Sequence, residues 1–442
     1  MLDTPRDELS VRQERAVLVS VSLPDRPWLT TDPLEELQGL AETAGAKVVG
    51  GVLQKRHEIN GSTYIGRGKL AELKAVVAAA DADVVIFDND LSPGQVRNLE
   101  KATNIKVIDR SELILDIFAT RARSVEARLQ VELAQLEYSL PRLKRMWTHL
   151  SRYSGGIGLR GPGETQLEED RRLIGLRIRD LKAKLAEVQA RREREVRSRQ
   201  EQYTVSLVGY TNAGKSTLMN KLTGAGVLAE DKLFSTLETR TRQWNIPDFD
   251  RVLLSDTVGF IRNLPHHLVA SFKATLEETR QARLLLHVVD ASSLVAEECI
   301  GAVNSVLGDI GCKGKPTLLV LNKVDRVTDR SYLHVLMAQH PKSVCISAAT
   351  GEGLADLRDA VVEALSANFI NAEIIAPISN GKVPAYLNAH AEVYRQQYCG
   401  DEVLLRCYVP RHLLHHIQGP GVRVRLLDAP PPPLAEPTAD AS

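Results

Sequence analysis

"TVSLVGYTNAGKSTL", Thr204–Leu218, sets an apolar, strand-like run against a glycine-bracketed turn and the opening of a helix. The turn places Gly209, Gly214, Lys215 and Ser216 in the spacing GxxxxGKS. A P-loop needs that spacing in that context, with a strand before it and a helix after it. Its glycines let backbone N–H groups wrap the α- and β-phosphates. Its lysine reaches the β/γ oxygens, and its hydroxyl ligates Mg2+. The expected phosphate cradle therefore runs from Gly209 through Tyr210, Thr211, Asn212, Ala213, Gly214, Lys215 and Ser216 to Thr217.

Three further elements follow in the order a guanine-nucleotide site requires. Asp256-Thr257-Val258-Gly259 ends a strand with a carboxylate that can hold Mg2+ through water, and its last N–H is free to sense a γ-phosphate. Asn322-Lys323-Val324-Asp325 ends another strand, where ligands gather in open α/β sheets. The Asp325 carboxylate can accept hydrogen bonds from guanine N1–H and the 2-amino group. Adenine presents an acceptor at that edge, so GTP is selected over ATP. Ser347-Ala348 then supplies a backbone N–H for guanine O6. Each tetrapeptide is weak alone; four in sequence order are specific.

The catalytic set expected from this pattern is Lys215, a switch threonine and Gly259. The threonine comes from "LFSTLETR", 233–240, and Thr236 is favoured, with Ser235, Thr239 and Thr241 as competitors. Ser216 and Thr236 are the expected Mg2+ ligands. After DxxG, where Ras-like enzymes carry a water-orienting glutamine, this chain has Phe260. A phenyl ring orients no water, so hydrolysis is expected to depend on a partner, a cation or another residue.

Around this site the sequence reads as an α/β multidomain protein. Residues 1–19 read as a flexible N-terminus and 20–120 as an N-terminal α/β subdomain. Its strands are 46–54, 83–89 and 104–110, alternating with helical stretches. Residues 201–370 form a P-loop GTPase domain with a doubly wound sheet, on strands at 204–209, 251–257, 283–290, 316–323 and 343–347. A small C-terminal α+β domain spans 371–428, followed by a Pro/Ala-rich disordered tail, 429–442.

Residues 121–200 show a different period. Leu129, Leu133, Leu136, Leu140, Leu143, Trp147 and Leu150 step by four and three, as do Leu167, Arg171, Ile174, Ile178, Leu181, Leu185 and Val188. Two heptad runs joined by a loop read as an antiparallel helical hairpin. Pro141 predicts a break in the first arm, and Thr165 with Glu168 predicts a capping box opening the second. Arms of about 22 residues would project roughly 30 Å. The same segment holds 19 Lys/Arg against 11 Asp/Glu, a surplus of eight positive charges in a chain of zero net charge. Nucleic acid is the commonest partner of such a patch. At the hairpin tip, Arg152, Gly155, Gly156, Gly158, Arg160, Gly161 and Gly163 are the candidate RNA contacts.

"IGRGKLAEL" (65–73), "DNDLSPGQVRNLE" (88–100), the stretch 109–143, "GGIGLRGPGETQLEEDRR" (155–172) and "DTVGFI" (256–261) together resemble the HflX family of GTPases, from about residue 20 to 365. The resemblance implies a cytoplasmic, ribosome-associated GTPase that binds the large subunit and its rRNA. It also implies dissociation of ribosomes under stress, with the N-terminal domain reaching toward the peptidyl transferase region. ATP use by the N-terminal domain is a further implication, for which Gly66-Arg67-Gly68-Lys69 is the nearest feature, without full P-loop spacing. The alternative class is a GTP-controlled switch on a membrane-associated or protease target, or on ribosome assembly.

Composition narrows these readings. No apolar run of about 18 residues occurs, so no transmembrane helix is expected, although peripheral association stays open. Five cysteines, at 299, 312, 345, 399 and 407, form no CxxC pair and point to a reducing compartment. His412, His415 and His416 read as a surface helix rather than a metal site. DNA is not an expected partner, and a monomer is expected.

Overall fold

The computed structural model describes residues 14–25, 27–28, 32–143, 162–197, 203–224, 233–234, 239–246, 249–261, 277–366, 369–410, 414, 417 and 421–427. The chain divides into two compact units, Met1–Ala355 and Asp356–Ser442. The division falls inside the stretch 201–370 expected as the GTPase region.

The first unit opens with β1 (Arg15–Ser22), whose seven residues after Arg15 are all buried. That continuous apolar run is what a parallel strand covered on both faces requires. It begins inside the segment expected to be flexible. There follow α1 (Glu35–Ala44), β2 (Lys47–Lys55), α2 (Arg67–Ala80), β3 (Val84–Phe87), α3 (Pro93–Thr103), β4 (Lys106–Asp109) and α4 (Arg110–Arg121). The sheet order is β2-β1-β3-β4, every pair parallel. Ser92 and Gln95 form a capping box at the start of α3, where Pro93 presets the first turn.

The hairpin follows as α5 (Val125–Ser139) and α6 (Pro162–Arg197), with α5 tightening into a 3-10 turn at Leu140–Arg142, where Pro141 lies. Leu133, Ile178 and Leu181 are buried in the seam, flanked by Leu129, Leu136, Leu140, Ile174 and Leu185. Arg177 pairs with Glu132 at 2.7 Å and Lys182 with Glu137 at 2.8 Å. These link like heptad positions, g to g and e to e, the pattern of antiparallel helices. The other face of α5 sends Val131, Ala134 and Tyr138 into the N-terminal core.

Two expectations for the hairpin are corrected. Helix α6 begins at Pro162, so Thr165 lies inside it rather than capping it; proline's fixed φ suits the first helical position. Its 36 residues span about 54 Å, longer than the roughly 30 Å expected. Of the tip residues, only Gly163 falls within the described residues, in the first turn of α6; Arg152, Gly155, Gly156, Gly158, Arg160 and Gly161 lie outside them.

The GTPase sheet comprises β5 (Tyr203–Gly209), β6 (Arg240–Ile246), β7 (Phe249–Asp256), β8 (Leu284–Asp290), β9 (Thr317–Asn322) and β10 (Val344–Cys345), in the order β10-β9-β8-β5-β7-β6. All pairs are parallel except β6 with β7. Its helices are α7 (Lys215–Thr223), α8 (Glu277–Gln281), α9 (Ala296–Asp309) and α10 (Arg330–Gln339). Phe234, Val258 and Ile261 of this domain are buried in the N-terminal core, in one cluster with Leu37 and Phe118. The rings of Phe118 and Phe234 meet edge to face, centroids 4.8 Å apart.

The second unit, opening within α11 (Leu354–Ser366), holds β11 (Phe369–Pro377), α12 (Lys382–His390), β12 (Glu392–Cys399), β13 (Glu402–Pro410) and β14 (Arg423–Leu426). Its antiparallel sheet, ordered β12-β13-β11-β14, buries Ala372, Ile374, Leu405 and Cys407 together with Val383 and Leu387 of α12.

Candidate functional site

The C-terminal ends of β5, β7 and β9 converge on one edge of the GTPase sheet. Leaving β5, the chain turns through Asn212 (φ 59°) and Gly214 (φ 93°) into α7. At Gly214 a Cβ would stand 2.2 Å from Asn322 Nδ2, so only glycine fits beside the loop from β9. Lys215 is 6% exposed, and its ammonium donates to the carbonyls of Gly209 at 3.1 Å and Tyr210 at 2.8 Å. Burial lowers its pKa to about 8, with Asp256 working in the opposite direction.

The Ser216 hydroxyl donates to Asp256 Oδ2 at 2.7 Å, and Asp256 is wholly buried. A hydroxyl beside a carboxylate is a hard oxygen donor set that fits Mg2+. Beyond Asp256 the chain lies alongside the P-loop: Phe260 N–H donates to Gly209 O at 3.1 Å, and Thr211 N–H to Phe260 O at 2.7 Å. Gly259 is pressed against the loop, where a Cβ would meet Thr211 Cγ2 at 2.7 Å and Lys215 Nζ at 3.1 Å. Its lack of a side chain brings its backbone next to the lysine.

Asn322 holds the two ends of the site together. Its Nδ2 donates to Ala213 O at 2.8 Å, and its Oδ1 accepts from Ala348 N–H at 2.9 Å. One buried amide therefore fixes the phosphate loop against the Ser347-Ala348 loop. Lys323 adopts φ 65° and pairs with Asp290 at 2.7 Å, while Asp325 stays exposed at the mouth. The Ser347 hydroxyl accepts from Thr350 N–H at 3.1 Å, bracing its own loop.

Some expected site residues turn elsewhere. The Thr257 hydroxyl donates to Leu207 O at 2.7 Å, and the Val258 side chain enters the N-terminal core, leaving their backbones to face the loop. The Tyr210 hydroxyl leaves the P-loop and donates to Glu36 of α1, which pairs in turn with Arg110. Phe260, 3% exposed, is packed among Val208, Leu285, Val303 and Leu307, inside the GTPase core. Thr236 and Ser235 lie outside the described residues. Thr241 sits in β6, bonded to Ser255 at 3.1 Å and Glu278 at 3.1 Å, so its hydroxyl is engaged in the sheet.

The Gly66–Lys69 run gives ATP no support. Gly66 is the N-cap of α2, with its N–H taken by Gln54 Oε1 at 3.1 Å, and Lys69 pairs with Glu72 at 2.7 Å. His412, His415 and His416 lie outside the described residues.

Sequence reasoning missed Asp290, His287 and Glu36. Asp290 ends "RLLLHVVD", and the end of a strand in an open sheet was its available signal. Glu36 lies 174 positions from Tyr210, and no local pattern announces that pairing.

A parallel sheet with a phosphate loop, a DxxG glycine against its lysine and an NKxD loop at the same edge defines a P-loop GTPase. Residues 31–119 match the family described as "GTP-binding GTPase N-terminal", 121–199 "GTP-binding GTPase Middle Region" and 204–323 "50S ribosome-binding GTPase". The chain is 47% identical to GTPase HflX of Escherichia coli (strain K12), over 84% of this chain and 87% of that protein. It is 43% identical to GTPase HflX of Lacrimispora saccharolytica, over 92% and 96% respectively. The chain belongs to the HflX family of GTPases and hydrolyses GTP. Among solved structures it resembles a GTP-binding protein of the archaeon Sulfolobus solfataricus in complex with GDP. That match has 26% identity and a TM-score of 0.43, over 79% of this chain and 98% of that chain. Among the described residues, no helix is long and apolar enough to cross a membrane.

Proposed function

We propose that this GTPase binds the large ribosomal subunit through its rRNA, is accelerated in GTP hydrolysis by that contact, and dissociates ribosomes. The observation that carries the reading is the packing of Phe260. The residue at the water-orienting position is buried in the GTPase core, so the chain's own side chain at 260 has no means of placing the attacking water. Of a partner, a cation or another residue, this reading takes a partner surface to complete the site. The match of residues 204–323 to a family described as 50S ribosome-binding supports that choice.

In this reading Lys215 binds the β- and γ-phosphate oxygens, and the backbones of Gly209–Ala213 and Thr217 wrap the phosphates. The Gly259 N–H senses the γ-phosphate, and Asp325 with Ala348 N–H reads guanine. Ser216, Asp256 and Thr236 would hold Mg2+, which when bound would neutralise charge on the β- and γ-phosphates. The basic hairpin carries Arg152, Arg160 and the tip glycines into RNA, where phosphate contacts dominate affinity. A membrane role would need an apolar stripe on the hairpin. Among the described residues, Leu133, Ile178 and Leu181 of its heptad seam are buried between α5 and α6, while Leu173 and Leu176 are exposed.

The test is GTP turnover with and without purified ribosomal subunits, alongside sedimentation of intact ribosomes with a non-hydrolysable GTP analogue. Large subunits are expected to raise turnover at least tenfold, and the analogue-bound protein to convert intact ribosomes into subunits. Turnover indifferent to large subunits would overturn the reading.

A further inference from the structure

Beside the phosphate loop, against the N-terminal sheet domain, lies a cavity of about 470 Å³. It is roofed by α1 of the N-terminal sheet and floored by the end of β8 and the start of α9. It borders the nucleotide site at the Tyr210–Ala213 stretch and at Glu36, His287 and Asp290, while Lys215, Ser216, Asp256, Asn322 and Asp325 do not line it.

Two buried polar atoms in its wall have no hydrogen-bond partner among the described residues. One is Nε2 of His287, whose residue is 2% exposed; the other is Oγ1 of Thr211, 6% exposed. Buried polar groups are nearly always satisfied, so two orphans lining one cavity point to something that fills it. Burial lowers the His287 pKa to about 4, helped by Lys215 and His340, so the imidazole is neutral at physiological pH. It therefore offers a dipole and no positive charge.

The charge of the lining selects the occupant. Glu35, Glu36, Glu42 and Asp290 face the cavity, and among the described residues no lysine or arginine lines it. Glu36 and Asp290 are matched by Arg110 and Lys323. Glu35 and Glu42, both exposed at the rim, carry no ion pair among the described residues. An anion or a second nucleotide phosphate is disfavoured by this field. A bare metal ion does not suit a space this large with Leu233, Val289 and Val295 in its walls, and the described residues hold no cluster of three metal-ligating side chains.

We infer that this cavity binds a small organic cation, an alkyl chain bearing primary ammonium groups. Its ammonium ends meet the Glu35 and Glu42 carboxylates at the rim and the His287 and Thr211 polar atoms inside, with the chain against the apolar wall. Such a ligand spans α1 and the phosphate loop, and so ties the N-terminal sheet to the GTPase site. The inference stands independently of the ribosome reading.

The probe is labelled spermidine, in equilibrium dialysis against the full chain saturated with GDP and Mg2+ at physiological ionic strength. One equivalent is expected to bind. The double variant Glu35→Gln/Glu42→Gln, altered only at exposed positions of α1, is expected to bind at least tenfold more weakly with GDP affinity unchanged. Thr43→Trp, which fills the cavity from α1, is expected to abolish binding. If the tryptophan variant fails to fold, the glutamine variant decides. Binding of several equivalents that excess Mg2+ displaces, equal in wild type and both variants, would be diffuse polycation attraction and would overturn the proposal. So would no binding, with water alone satisfying His287 and Thr211.

Discussion

The first unit contains one parallel and one largely parallel sheet whose C-terminal edges have met opposite fates. In the GTPase sheet, the loops after β5, β7 and β9 leave their backbone groups facing a nucleotide. In the N-terminal sheet, the chain fills the same edge with its own side chains. Asp109, wholly buried at the end of β4, accepts from Leu91 N–H (3.2 Å), Glu112 N–H (2.9 Å) and Tyr138 OH (2.9 Å) and pairs with Arg142 at 3.1 Å. Arg142 also lies over the Tyr138 ring, 3.6 Å from its centroid. At the end of β1, the Asn89 side chain accepts from Val21 N–H at 3.0 Å and donates to Val21 O at 3.3 Å. Ligands settle at such an edge where strand order reverses; here that crevice is already occupied. Parallel strand ends thus yield a binding site in one sheet and a docking platform for the hairpin in the other.

Breaking the contrast from the nucleotide side should give the largest effect. Asp325→Asn removes the acceptor for guanine N1–H and the 2-amino group. Discrimination of GTP over xanthosine triphosphate should fall by on the order of a thousandfold or more and invert. Competition binding with the two nucleotides measures it, and a variant that keeps full preference for guanine would remove Asp325 from the base-reading role.

On the platform side, Asp109→Ala leaves Arg142, the buried Leu91 N–H and the partly buried Glu112 N–H without this acceptor. We expect a loss of about 3–5 kcal/mol, read by denaturant titration. GTP affinity of the remaining folded protein should change little. An equal loss in nucleotide binding would mean the two edges are not separable as described.

The smallest effect is in pH. With the Lys215 pKa lowered to about 8 and raised again by a bound phosphate, the lysine is protonated in both states below that value. Above it, the free protein must take up a proton on binding. Affinity for GTP should therefore be flat below pH 8 and fall above it, by at most about tenfold per unit. Calorimetry in buffers of different ionisation enthalpy would register the proton, and Lys215→Arg should remove the dependence.

What the sequence disclosed follows the range of its interactions. The P-loop is legible because strand, glycine turn and helix fall within fifteen residues, and the hairpin because a heptad repeats. The edge strand β6 escaped because Arg240–Ile246 is polar and half exposed, with no apolar run to mark it. Strand β1 was not singled out, although its apolar run is continuous. The Asp109 cluster joins positions up to 51 residues apart, and Asp109, Tyr138 and Arg142 each look alone like an ordinary charged or aromatic residue. Phe260 was visible as a departure from a glutamine, but its burial depends on α9, more than thirty residues downstream. Capping logic picked Thr165 because it weighed a threonine–glutamate pair above the proline three residues earlier.

Phe234, Val258 and Ile261 carry a last consequence, for modularity. Sequence matches cut the chain near residue 200, as though the GTPase could be lifted out whole. These three side chains belong to the interior of the preceding domain, and excision at that boundary would leave a patch of bare hydrocarbon beside the phosphate loop. The unit of folding is larger than the unit of homology. A fragment beginning at 201 should be handled as a wounded protein rather than a minimal enzyme.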